Sequence, residues 1–203
     1  MRKFVIVVTA IGMVAALFTG ASVAVAQTSA AEMLEQARAR AREMEELKAV
    51  LNGPDQNMRL ASFDIMVNSG DEAMRQIAID TGLASADTLM QAMAFKESVL
   101  SLNRIVMSLE IDKSQPADIQ VASQKILDAN GNAYELPIAE SDKKTGIFKI
   151  YSNNKGQVSG LELTFKYSYD SGRLSLVDET TMKGPVRIYK GGYGNFIATA
   201  KIR

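Results

Sequence analysis

The side chains of this sequence that could do chemistry are carboxylates, lysines, hydroxyls and tyrosines, because the chain contains no histidine and no cysteine. This composition removes the commonest general base, the thiolate nucleophile, disulfide bonds and the usual ligands of zinc, haem and iron–sulfur clusters. Hydrolysis of a glycoside remains open, since it needs only two carboxyl groups. The second half of the chain offers the following acids: Glu135, Glu140, Asp142, Glu162, Asp170, Asp178 and Glu179. No spacing or apolar flank marks a pair whose pKa would be raised, so surface solvation is the simpler interpretation.

One short segment resembles two motifs of penicillin-binding enzymes. Ser141 and Lys144 have the Ser-x-x-Lys spacing, and Lys144, Thr145 and Gly146 spell Lys-Thr-Gly. In that family the two elements lie far apart in the chain and face each other across a cleft. Here both motifs share one lysine, so they cannot form the two walls of a site. We interpret this segment as a solvated turn.

A second segment has oxygen ligands at alternate positions, as a calcium loop does. Asp128, Asn130 and Asn132 alternate, and Glu135 follows. Gly131 and Glu135 both come too early for the twelve-residue EF-hand pattern. Since Asn-Gly is also a common hairpin turn, a turn explains the same residues. The sequence therefore predicts no cofactor, with calcium at Asp128, Asn130 and Asn132 as the alternative.

The tyrosines are the better candidates for a binding surface. Aromatic rings on a β surface stack on sugars or anchor protein partners at low entropic cost. We expect Tyr189, Tyr193, Asn195 and Tyr151 to form this surface, because the first two flank a glycine-rich loop. A flexible hairpin without a ligand is the alternative for that loop. Alternation predicts that Tyr167 and Tyr169 belong to the core instead.

The first 26 residues have the pattern of a cleavable signal peptide. Arg2 and Lys3 precede an apolar run over residues 4–18, and Ala24-Val25-Ala26 provides the small residues of a cleavage site. A retained membrane anchor is the alternative, because the apolar run is nearly long enough to span a bilayer. After cleavage we expect no stable anchor. The prediction is export, with the periplasm favoured by the lack of cysteine and secretion as the alternative.

The remaining chain changes character near residue 110. Eight of the eleven methionines lie between Ala30 and Leu109, together with many alanines and leucines, which favours helices. All six tyrosines lie after it, among alternating apolar and polar residues, which favours strands. We therefore predict an α+β protein with a helical domain over 27–110, a linker over 111–117 and an antiparallel β domain over 118–203. The β domain would be a sandwich or a small barrel.

The first predicted helix covers residues 30–51. Its apolar side has an approximate heptad seam, formed by Leu34, Ala37, Ala41, Met44 and Leu51. This seam either packs on the following helices or pairs with a second chain to form a homodimer. The opposite side is charged.

A repeat with a period of 16 residues follows. Asp55, Asp71 and Asp87 each stand where a carboxylate would cap a helix, and an apolar residue occupies position nine of each unit, namely Phe63, Ile79 and Phe95. The pattern predicts three consecutive short helices.

These residues also carry a family resemblance. The stretch Leu47–Leu89, with Pro54-Asp55, Arg59-Leu60-Ala61, Asp71 and Arg75-Gln76-Ile77-Ala78, resembles HEAT-type helical repeats, in which an Asp before a helix and a later Arg recur. The resemblance implies HEAT-like repeats over about 47–102, which would serve as a scaffold or a protein-binding surface. A small helical bundle is the alternative.

Turn signals divide the second half into predicted strands over 118–127, 133–139, 146–152, 158–169, 173–178, 182–189 and 196–202. The predicted function is an exported, non-catalytic interaction protein of the cell envelope that binds a protein or a glycan. One alternative is a carboxylate-dependent hydrolase on the β domain, and another is a structural adaptor that oligomerises through residues 30–51. Nucleic acid is not an expected partner, because Lys plus Arg and Asp plus Glu both number 23.

Overall fold

The computed structural model describes residues 29–151 and 153–203, and in these residues the chain forms five α-helices and nine β-strands. Contacts divide the chain into two units, with the boundary between Arg38 and Ala39. The elements are, in chain order, α1 (Ala30–Leu51), α2 (Gln56–Asn68), α3 (Glu72–Leu83), α4 (Thr88–Leu100), β1 (Arg104–Ile111), α5 (Ala117–Asn130), β2 (Ala133–Pro137), β3 (Glu140–Asp142), β4 (Ile147–Lys149), β5 (Lys155–Ser159), β6 (Glu162–Tyr167), β7 (Asp170–Asp178), β8 (Thr181–Tyr189) and β9 (Tyr193–Lys201).

The described part of the first unit is the start of α1. The Ser29 N–H donates to the Glu32 carboxylate, and the Glu32 N–H donates to the Ser29 hydroxyl, which is a reciprocal capping box. The helix begins at Ala30 and ends at Leu51, as the sequence predicts. The predicted signal peptide over 1–26 lies outside the described residues. Within the part of the chain that is described, none of the helices combines the length and apolar character that crossing a bilayer requires.

The 16-residue repeat forms three capped helices, as predicted. The carboxylates of Asp55, Asp71 and Asp87 each accept two backbone N–H groups in the first turn of α2, α3 and α4. Each cap satisfies amides that would otherwise lack a partner at the start of a helix. The residue at position nine of each unit is buried in all three helices: Phe63, Ile79 and Phe95. The helices pack in sequence, α2 on α3 and α3 on α4.

The nine strands of the described residues form a single antiparallel sheet in the order β2-β1-β9-β8-β7-β6-β5-β4-β3. The sheet is curled into a half-barrel, and the predicted α+β class is confirmed. The first strand pairs with the last, so β1 lies between β9 and β2 near one edge. From β3 to β9 each strand pairs with the next in sequence.

Buried side chains fill the inner face of the sheet, and the alternation of rings and glycines shapes that face. Phe148 lies opposite Gly156, and Phe165 lies opposite both Gly156 and Gly172. A Cβ atom at Gly156 would overlap the ring of Phe148, and one at Gly172 would overlap the ring of Phe165. Each ring therefore packs directly on the backbone of a glycine in the neighbouring strand. Glycine at these positions leaves room for the rings on the inner face of a curled sheet.

The predicted strand over 118–127 is wrong, because these residues belong to α5. Pro116 precedes the helix, and Gly131 follows it with φ 76°, which is the usual asymmetry of helix ends. The residues predicted as a hairpin turn therefore form the C-terminal end of α5. The helix packs on β9, where the Ser123 hydroxyl accepts the Asn195 N–H and donates to the Asn195 carbonyl.

Two further element predictions need correction. The change from helix to strand comes at Arg104, where β1 begins, and not near 110. The predicted strand over 158–169 is two strands, β5 and β6, separated by Gly160 with φ 60°. The two strands pair with each other, with Val158 opposite Leu163.

Candidate functional site

Three loops of the sheet meet at one end of it, and they carry most of the tyrosines. The antiparallel registers bring together the β4–β5 loop, the β6–β7 turn and the β8–β9 turn. We call the tyrosines at these loops the tyrosine end, which consists of Tyr151, Tyr167, Tyr169, Tyr189 and Tyr193. The register thus gathers aromatic residues from separate segments of sequence into one place.

Three of these rings form a continuous exposed cluster. The centroids of Tyr169 and Tyr189 are 5.2 Å apart, and those of Tyr189 and Tyr193 are 5.1 Å apart. The ring planes are inclined by 52° and 62°, which are favourable tilted and edge-to-face arrangements. The three residues are 66%, 41% and 37% exposed, respectively. The three rings therefore pack against one another and still leave aromatic surface exposed to solvent.

Arg187 borders this cluster. Its guanidinium carbon lies 3.7 Å from the centroid of the Tyr193 ring, within the range of a cation–π contact. Arg187 and Tyr189 alternate with the buried residues Val186 and Ile188, so both project from the outer face of β8. The cluster thus presents a ring and a cation on the same face of the sheet.

Asp170 fixes the backbone beneath the tyrosines. One carboxylate oxygen accepts the Tyr189 N–H at 2.8 Å, and the other accepts the Tyr134 hydroxyl at 2.8 Å. Burial, and then the hydrogen bond to Asp170, raises the pKa of Tyr134 above its ordinary value. The Tyr134 ring also stacks on Phe165 in the core, with centroids 6.3 Å apart. Asp170 therefore connects the core to the end of β8.

The remaining two rings lie at the β4–β5 side of this end. Tyr151 is 58% exposed, and its ring is 6.3 Å from that of Tyr167, which is partly buried against the core. The expectation that Tyr169 belongs to the core is wrong. The strand β6 ends at Tyr167, and Ser168 turns the chain with φ 57°, so the alternation stops before Tyr169.

Asn195 has a different role from the tyrosines. Its side-chain amide donates to the Gln115 oxygen at 2.8 Å, and its backbone carbonyl accepts the Asp112 N–H. It connects β9 to the segment that precedes α5. Asn195, Gln115 and Arg187 line a shallow depression of about 380 Å³ on the outer face.

Besides Asp170, five of the seven acids that the sequence offers in the β half are held in ion pairs or by hydrogen bonds. Glu135 pairs with Arg104, Glu140 with Lys149 and Glu162 with Arg173. Hydrogen bonds from the Thr145 hydroxyl and from backbone N–H groups lower the pKa of Asp142, whereas a general acid needs a raised pKa. A backbone N–H bond from Thr180 likewise lowers the pKa of Asp178.

The other two motifs do not converge on a site either. Ser141 donates its hydroxyl to the Leu100 carbonyl, whereas the Lys144 N–H and the Thr145 hydroxyl both donate to the Asp142 carboxylate in the turn between β3 and β4. Of the calcium candidates, Asp128 accepts a hydrogen bond from Gln124 and Asn130 donates to the Ile126 carbonyl. Within 29–151 and 153–203, no three acids are grouped closely enough to hold a metal ion.

Three residues of the site have roles that the sequence pattern did not predict, namely Tyr169, Arg187 and Asp170. Their roles depend on which strands become neighbours, and the spacing along the chain does not reveal this.

Comparison of the chain with protein-family models, with curated proteins and with solved structures gives no match. The function therefore has to be inferred from the arrangement of the side chains.

Proposed function

We propose that this chain is a non-catalytic binding protein of the cell envelope, exported by its N-terminal leader, and that the tyrosine end binds a glycan. The observation that carries the proposal is the exposed cluster of Tyr169, Tyr189 and Tyr193. Ring faces stack on the apolar faces of sugars, and rigid rings lose little entropy on binding.

A glycan fits this surface better than a protein partner does. The centre of a protein interface is depleted of lysine and is desolvated by surrounding contacts. Here Lys190 follows Tyr189 directly in the chain and is exposed, and the depression beside Arg187 is shallow. Sugars offer hydroxyl groups to such polar side chains and apolar faces to the rings.

A glycan array with the purified chain tests the proposal. We expect the double variant Tyr189→Ala and Tyr193→Ala to bind its best glycan about 30-fold more weakly, since the two stacked rings contribute roughly 1 kcal/mol each. The thermal midpoint should change little, because both rings are substantially exposed.

The matched control is Met58→Ala with Ile65→Ala, which removes exposed apolar surface from α2 instead. This control should bind as the unaltered chain does. Equal binding by the tyrosine variant, or a large fall in its thermal midpoint, would contradict the proposal.

A further inference from the structure

The outer face of the sheet carries cations in matching register on four strands. Lys149 on β4 lies opposite Lys155 on β5, and Lys155 lies opposite Lys166 on β6. The same row continues through Ser171 on β7 to Arg187 on β8. We call Lys149, Lys155, Lys166 and Arg187 the basic row. All four are exposed and alternate with buried inner-face residues.

This row is unfavourable for the sheet on its own. Directly opposite side chains in antiparallel strands have Cβ atoms about 5 Å apart, and like charges at that separation destabilise the pair. Glu140 offsets Lys149 at 2.6 Å. Among the residues that the structure describes, neither Lys155 nor Lys166 forms an ion pair. The sheet therefore holds these two cations without an internal partner.

Protection of a sheet edge does not explain these lysines. Charged residues on an edge strand prevent pairing with another chain. Both β5 and β6 are interior strands, with neighbours on each side. A ligand that supplies negative charge would offset the repulsion.

Polar groups and small depressions accompany the row. One depression of about 380 Å³ is lined by Lys155 and Lys166, together with Gln157 and Thr164 on the same face. The depression at Arg187 and Asn195 lies farther along the row. The first contains the Thr164 hydroxyl and the Gln157 amide beside its two lysines, which suits oxyanions. The second contains Arg173 beside Arg187, together with the carboxylate of Asp112.

We propose that the basic row binds the negatively charged groups of a carboxylate- or phosphate-bearing polysaccharide, while Tyr189 and Tyr193 stack on its sugars. The inference rests on the proposed glycan-binding function and specifies the class of glycan. Arg187 joins the two parts, since it belongs to the row and contacts the Tyr193 ring. A polysaccharide is favoured over nucleic acid because the chain has no net charge and one row of cations, whereas nucleic-acid binders carry a strongly basic surface.

The test compares the unaltered chain with the double variant Lys155→Gln and Lys166→Gln. The probes are polygalacturonate, poly(glycerol phosphate), neutral dextran and a single-stranded oligonucleotide, measured by calorimetry at low and moderate salt. We expect the unaltered chain to bind polygalacturonate or poly(glycerol phosphate), and the preferred probe identifies the anionic group. The variant should bind it about 10-fold more weakly and with a smaller salt dependence.

The matched control is Lys125→Gln with Lys183→Gln, which removes the same charge from exposed positions outside the row. Its affinity should remain within about twofold of the unaltered chain. Thermal unfolding gives a second readout. The Lys155 and Lys166 variant should unfold at the same or a higher temperature without probe, because repulsion is relieved. It should also lose the stabilisation that the anionic probe gives.

Several results would overturn the inference. The first is that the Lys155 and Lys166 variant binds the anionic polymers as tightly as the unaltered chain does. The second is that the unaltered chain binds neither polygalacturonate nor poly(glycerol phosphate). The third is that the unaltered chain binds the oligonucleotide more tightly than either of these polymers. If the tyrosine variant loses dextran binding while the row variant keeps all its affinities, the proposed glycan function stands and only the anionic specificity fails. If the tyrosine variant is also unaffected on the glycan array, both fail.

Discussion

The guanidinium of Arg59 on α2 contacts the carboxylate of Asp87 at 2.6 Å, although Asp87 begins α4 and its other oxygen caps that helix. Arg40 on α1 makes the equivalent contact with Asp71, which caps α3. Each carboxylate thus caps its own helix with one oxygen and pairs with an arginine of another helix through the other oxygen. The pairing connects helices that are two positions apart in sequence.

This arrangement predicts an acid-sensitive contribution to stability. The hydrogen bond from Arg59 lowers the pKa of Asp87 from 3.8 to about 2. The unfolded chain therefore takes up the proton first as pH falls. The contribution is complete above pH 4 and is lost as pH falls toward 2, and thermal unfolding across this range measures it.

Asp87→Asn isolates the charge, because Asn caps helices about as well as Asp. We expect a thermal midpoint lower by a few degrees at neutral pH and a weaker dependence on pH below 4. Asp55→Asn is the control, since the described contacts of the Asp55 carboxylate are cap bonds to Asn57 and Met58. Identical behaviour of the two variants would show that the Arg59 contact adds nothing.

The pairing of Phe165 with Gly172 gives a prediction about packing. Gly172→Ala places a methyl group against the Phe165 ring and 2.7 Å from the Val186 Cγ1 atom. Overpacking of this kind costs about 1–3 kcal/mol in the free energy of unfolding. Chemical denaturation should report this loss. Gly192→Ala, where no atom lies within 4 Å, should be nearly neutral.

The Tyr134–Asp170 hydrogen bond predicts a loss of stability at alkaline pH. The folded chain holds the pKa of Tyr134 above its ordinary value of 10.0, so the unfolded chain loses that proton first. Stability is therefore lost as pH rises through 10. Near-UV absorbance during an alkaline titration should show tyrosine that ionises only as the fold opens, and Tyr134→Phe should remove that fraction. An unchanged titration would contradict the burial of this hydroxyl.

Pairing of two chains through residues 30–51 stays a prediction, and the structure indicates how to test it. Leu51 is buried and Leu47 packs on the core, so deletion of the helix would damage the fold. Leu34→Glu with Ala41→Glu alters the seam and spares both contacts. If the seam forms a homodimer, sedimentation should show that this variant is monomeric, whereas Glu35→Gln with Arg42→Gln on the charged side stays dimeric. A monomeric unaltered chain would end the hypothesis.

Local sequence signals predicted the helical half well. The caps at Asp55, Asp71 and Asp87 need only a carboxylate and the following three residues, so the 16-residue period located all three helices. The error at α5 has a local cause as well. Its β-branched residues Ile119, Val121 and Ile126 are typical of strands. In the fold these residues form a helix that packs on the sheet, where Ile126 lies beside Gly194 on β9. Tertiary contacts therefore outweigh the local preference for a strand.

The candidate site was predictable only in part. The glycine-rich loop marked Tyr189 and Tyr193 as neighbours, and β8 and β9 indeed place them opposite each other. The basic row was not predictable, because Lys149, Lys155, Lys166 and Arg187 come from different strands whose alignment requires the exact position of every turn. The turn at Gly160, for example, sets the register of β5 against β6, which places Lys155 opposite Lys166.

The shared space between Phe165 and Gly172 also constrains how this protein can evolve. The ring on one strand occupies the volume that a side chain on the next would need. Neither position can change in size alone without strain or a void, so accepted substitutions should arise as compensating pairs, such as a smaller residue at 165 with alanine at 172. Related sequences would therefore show covariation between these two positions, and a pair that drifts independently would indicate a flatter sheet.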